Sequence, residues 1–158
     1  MLTAKEIKGD IFVIPNHAGK AEDFLGSFSE KMAEYGKKIC EANGKMYDED
    51  NDYFVQTWMV SEDAGSDNMA RHGFDVDVDG EKYYIWRLEE NIPRQLIDLS
   101  EGESATINLL GKGYRNSEDF TNDNYVDVMI PVTFTAAQTK YRYRNFGNFE
   151  DVIERVCR

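Results

Sequence analysis

Two histidines and two cysteines are the side chains in this sequence whose chemistry lies nearest neutral pH. His17 stands in Pro15-Asn16-His17-Ala18-Gly19-Lys20, just ahead of an amphipathic stretch where backbone amides could hold an anion. Gly19-Lys20 lacks the preceding glycines of a phosphate loop, so that motif is absent. Cys40 follows Ile39 near the end of the same stretch, and a cysteine on an apolar helix face is more often buried than nucleophilic. Cys157 is the other thiol. With no CxxC pairing, neither a disulfide framework nor a zinc ribbon can be built, which points to a reducing cytosol.

Carboxylates are the abundant chemistry. Asp75-Val76-Asp77-Val78-Asp79-Gly80 has the spacing of a calcium loop, but Trp86 occupies the twelfth position, where a bidentate glutamate belongs. Asp48-Glu49-Asp50-Asn51-Asp52 places Tyr53 where the turn glycine is needed. Pairs such as Glu89-Glu90 read as solvated surface, since thirty acids offer many chance pairs. No catalytic residue, no metal ligand and no cofactor is therefore expected. Lys140 to Phe146 interleaves cations with aromatic residues, yet strand geometry puts Lys140, Arg142 and Arg144 on one face and Tyr141 and Tyr143 on the other. A net charge of −12 opposes a polyanion, so direct nucleic-acid binding is not expected.

The distribution of that charge is more informative than its total. Residues 1–45 carry seven acids and seven bases; residues 46–127 carry twenty acids and six bases, a balance of −14. Residues 128–158 carry three acids and five bases. Between Met46 and Ala70 there are seven carboxylates and no lysine or arginine. Asp48, Glu49, Asp50, Asp52, Glu62, Asp63 and Asp67 are accordingly the candidate partner-binding acids. Tyr114, Arg115 and Phe120 join them, because they are anchor-type residues in what reads as a long loop over 111–124.

The elements that must position these residues follow from periodicity. Ala21, Phe24, Leu25, Phe28, Met32, Tyr35 and Ile39 form one stripe and predict a long helix over 20–42, stopped by Asn43-Gly44. Before it, residues 11–14 read as a short strand ended by Pro15. Tyr53 to Val60 is a strand. Phe74 to Val78 and Lys82 to Arg87 form a hairpin around Asp79-Gly80, with Asp77 opposite Lys82, Val76 opposite Tyr83 and Phe74 opposite Ile85. Residues 92–99 predict a short helix with Pro93 in its first turn, and 105–110 another strand. Val126 to Phe134 alternates, with Pro131 marking an edge or a bulge. Lys140 to Phe146 is the last strand, and Asn148 caps a closing helix carrying Phe149, Val152, Ile153 and Val156.

The expected fold is α+β: one domain over 1–158, with a mainly antiparallel sheet of about six to seven strands. A long N-terminal helix and a short C-terminal helix pack on it. No run of apolar residues is long enough to span a bilayer, and the start is too polar for a signal peptide, so a cytoplasmic protein without membrane contact is expected. The function expected is a non-enzymatic acidic binding or inhibitory protein that engages a basic partner, in its sharper form one that imitates the phosphates of a nucleic acid. Asp75, Asp77 and Asp79 recur every second residue, about 6.5 to 7 Å apart, which suits that form. An alternative is a structural or assembly protein forming oligomers or contacting a scaffold; a third is a carboxylate-based enzyme.

Overall fold

The computed structural model describes residues 1–65, 68–118, 124–137, 141–145 and 151–155. It is mostly sheet, 43% strand against 18% helix, which overturns the α+β expectation of a sheet covered by a long N-terminal helix and a C-terminal one. The strands are β1 (Leu2–Thr3), β2 (Ile7–Gly19), β3 (Phe54–Val60), β4 (Phe74–Val78), β5 (Glu81–Ile85), β6 (Asn91–Pro93), β7 (Ser104–Tyr114), β8 (Val126–Ala136), β9 (Tyr141–Asn145) and β10 (Asp151–Arg155). Eight of them form one curled half-barrel sheet in the order β4-β5-β7-β8-β2-β3-β6, with β1 beside β8; β9 and β10 pair separately. Among the described residues only β1 and β2 pair parallel, both with β8.

The long helix is the main correction. Helix α1 spans Phe28–Ala42, and the first part of the predicted helix is a 3₁₀ turn at Ala21–Asp23. Gly26 lies between them at a φ of 61°, a left-handed conformation that stops any helix running through it. The apolar stripe divides accordingly. Ala21 and Phe24 pack with Met32 and Phe54 in a small cluster, the Phe24 and Phe54 rings meeting edge-on at 5.9 Å. Leu25 and Phe28, which the stripe placed against the sheet, are 86% and 61% exposed.

At the C-terminus, residues 151–155 are strand β10, antiparallel to β9 with Asp151 opposite Asn145, where a helix was expected. Val152 and Ile153 are β-branched and favour a strand once a partner is at hand. The expected cap Asn148 lies outside the described residues, as do Phe149 and Val156. The helix expected over 92–99 is instead β6 followed by a 3₁₀ turn at Arg94–Leu96.

Both prolines that should have ended or marginalised strands lie within them. Strand β2 runs on through Pro15, because its ladder with β3 shifts register between Val13 and Ala18, and a bulge needs no proline N–H. Pro131 sits in β8, between β7 and β2. Its Cα partner Asn108 turns its own N–H and C=O away from β8, so the missing Pro131 donor points to the other side, toward Ala4 to Glu6, where β1 has stopped and β2 has not begun.

The inner side of the curl is the core. Ile107, Leu109, Val128, Ile130, Val132 and Phe134 are almost fully buried there with Phe74, Val76 and Ile85. Two polar contacts finish the curl. The Lys5 N–H donates to the Asp77 carbonyl at 2.7 Å, joining the outer edge of β4 to the link between β1 and β2. At the other opening β5 pairs with β7 only at Tyr84 and Ile85, and α1 covers the strand edge beyond. There the Asn43 side chain accepts from Asn108 N at 2.7 Å and donates to Asn108 O at 3.0 Å, while Asn108 Nδ2 donates to Ala42 O at 2.9 Å.

Candidate functional site

The expected partner-binding residues fall in three places. Asp48, Glu49, Asp50 and Asp52 form the loop after α1, and much of its charge is spent on holding it. Asp48 accepts from the Asp50 and Asn51 amides and from Asn51 Nδ2 at 2.7 Å; Asp52 accepts from Asp48 N at 2.7 Å and Gln95 Nε2 at 2.8 Å. Glu49 pairs with Lys37 at 2.6 Å. The side-chain bond from Asn51, then the Asp50 amide, keeps the Asp48 carboxyl below its ordinary value.

Glu62 and Asp63 lie at the other end of β3, about 20 Å from that loop at the rise of an extended strand. Tyr114 ends β7, three positions from β3 in sheet order, and Arg115 follows it. Tyr114 is 5% exposed and belongs to the interior, its ring 6.1 Å from Tyr125, because β7 takes in the first four positions of what was expected to be a loop. Arg115 pairs with Glu81 at 2.6 Å and lies over the Tyr83 ring. Asp67 and Phe120 lie outside the described residues.

One of these places gains acids that the sequence left out of the site. Asp63 Oδ2 accepts from Lys8 N at 2.9 Å, and Asp77 O accepts from Lys5 N at 2.7 Å. Three residues of extended chain span about 10 Å, so the turn holding Glu62 and Asp63 and the β4–β5 hairpin meet at the same end of the sheet. Phe74, Val76 and Val78 point into the core, so Asp75 and Asp77 must point out, with Asp79 in the turn beyond. The alternation already visible in the sequence was the signal. Counting Glu6 and Glu81, seven carboxylates lie at this end with Lys5, Lys8 and Lys82, the last 3.9 Å from Asp75, and with Arg115, which pairs with Glu81.

The residues weighed for nucleophilic chemistry are placed otherwise. Cys40 is fully buried, and burial, with Asp52 adding to it, pushes its thiol up to about 11; Gln95 Nε2 lies 3.6 Å from the sulfur. A protonated, inaccessible thiol does not attack. His72 is exposed after the turn at Asn68, and the side chain of His17 and all of Cys157 lie outside the described residues. No helix is long and apolar enough to cross a membrane among the described residues. No family model, curated protein or solved structure matches this chain.

Proposed function

We propose that this is a non-enzymatic binding protein whose acidic end, built from Glu62, Asp63, Asp75, Asp77 and Asp79, engages a basic surface on a partner protein. The observation that carries the reading is the convergence of two separate acidic segments around residues 5–8. A rigid hairpin supports it: outward carboxylates on β4 are held by inward valines, so their spacing does not have to be organised on binding. Such a surface accelerates encounter with a cationic partner and falls off with salt. In its sharper form the partner is a nucleic-acid-binding protein, with the aspartates in the place of phosphates.

An octa-arginine peptide serves as a probe. Neutralising Glu62, Asp75 and Asp79 to their amides should weaken its binding at least tenfold more than neutralising Glu22, Glu30 and Glu101, three exposed acids elsewhere. Equal losses from the two trios would leave only the overall charge of the chain and defeat the proposed site.

A further inference from the structure

A second surface has a different electrostatic character. Between α1 and the outer side of β1, β8 and β7 runs a cleft of about 930 Å³. One wall is a single face of α1, where Lys31, Glu34, Lys38 and Glu41 alternate in sign along its length. Lys38 and Glu34 pair at 3.4 Å, both mostly exposed. The opposite wall carries Arg87, Glu89, Lys112 and Asp127, the last two cross-strand partners in register. Cations and carboxylates therefore balance in this cleft, on a chain of net charge −12. Leu110 and Met129 form an apolar floor, and Trp86 leaves 38% of its surface in water at the rim.

Deeper in, the Tyr35 phenol is held protonated, its pKa raised by burial and then by the Glu89 charge. Glu89 is itself fixed by accepting from Asn91 N at 3.1 Å and Asn91 Nδ2 at 3.2 Å. The cleft thus offers both donors and acceptors along two walls and an apolar floor between them.

Shape and charge select the occupant. A ligand of one sign meets as much repulsion as attraction, whereas a ligand carrying both signs is matched. The α1 wall from Lys31 to Ala42 is about 16 Å long at helical rise, the length of about five residues of extended chain. We infer that this cleft binds an extended peptide segment of mixed charge, one of whose apolar side chains rests on Leu110 and Met129 beside Trp86. The site is separate from the acidic end and does not depend on it.

Two blocked seven-residue probes test it by fluorescence anisotropy: Glu-Thr-Lys-Leu-Glu-Thr-Lys, with alternating charges, and Glu-Thr-Glu-Leu-Lys-Thr-Lys, with the same charges in blocks. The wild-type cleft should prefer the alternating probe. Exchanging Glu34→Lys with Lys38→Glu keeps the net charge and the ion pair but turns the wall from alternating to blocked, and should reverse that preference by about tenfold or more. Trp86→Ala should weaken both probes while the melting temperature holds. An unchanged preference in the exchanged variant would overturn the inference, as would equal affinity for oligolysine or for an uncharged oligosaccharide. Loss of octa-arginine binding in the acidic-end variants leaves it untouched, so the two sites fail separately.

Discussion

Some carboxylates in this protein are left facing water and others hold backbone amides in place, and Asp48 is of the second kind. Its folded value is depressed, first by the Asn51 side chain and then by the Asp50 amide, from an ordinary 3.8. A depressed carboxylate contributes stability that is present above its unfolded value and lost as pH falls through the folded one. Asp48→Asn should therefore melt below wild type at pH 7, and the gap should close on acidification below 3.8. Urea midpoints measured between pH 7 and about 3 would check this; a gap of constant size would mean that the charge is not what holds the loop. Reversing Asp48 or Asp52 to lysine would disturb the loop itself, so such variants cannot isolate a binding surface.

At the scale of elements, the register and turn of the hairpin were legible, although its second strand runs over Glu81–Ile85 and stops short of Arg87, and the helices were not. Phe74 stands opposite Ile85, Val76 opposite Tyr83 and Asp77 opposite Lys82, and the turn residues Asp79 and Gly80 have φ of 50° and 85°. A period of two and a turn that demands positive φ are both local, so the sequence alone contains them. Replacing Asp79-Gly80 by Ala-Ala should cost about 1 to 3 kcal/mol in chemical denaturation, since alanine resists both angles and Asp77 Oδ1 would lose the well-placed Gly80 amide at 2.7 Å. Unchanged stability would show the turn to be unstrained by alanine. The break in the helix over 20–42 is not legible because a stripe of apolar residues does not say whether one wall or two receives it, and Phe54, which takes Ala21, Phe24 and Met32, comes from a distant strand. Pro131 misled for a similar reason. Its missing donor is harmless only because β1 and β2 leave a gap in the same place, a fact of tertiary pairing. The candidate acids were legible as a charge excess, but which of them hold loops and which face outward depends on partners such as Gln95 and Lys8, far off in the chain.

For the molecule as a whole, two stretches of open strand edge in the half-barrel, on β4 and on β7, are met by single polar groups rather than by further strands. At β4 the group is the Lys5 amide; at β7 it is the Asn43 side chain, which imitates a neighbouring strand by offering one acceptor and one donor to Asn108. A strand with unmet amides and carbonyls is a template for any other chain that can lie along it. The Asn43 amide therefore acts as a guard against strand addition between molecules, and it sits on the element that also forms the peptide cleft. Removing it by Asn43→Ala should lower stability by about 1 to 2 kcal/mol, the order expected for stranding partly buried backbone groups. It should also make the apparent mass rise with protein concentration in sedimentation, as one copy pairs with the β7 edge of another. A variant that loses stability but remains at its wild-type mass at every concentration would show that α1 alone, without its asparagine, keeps that edge closed to other chains.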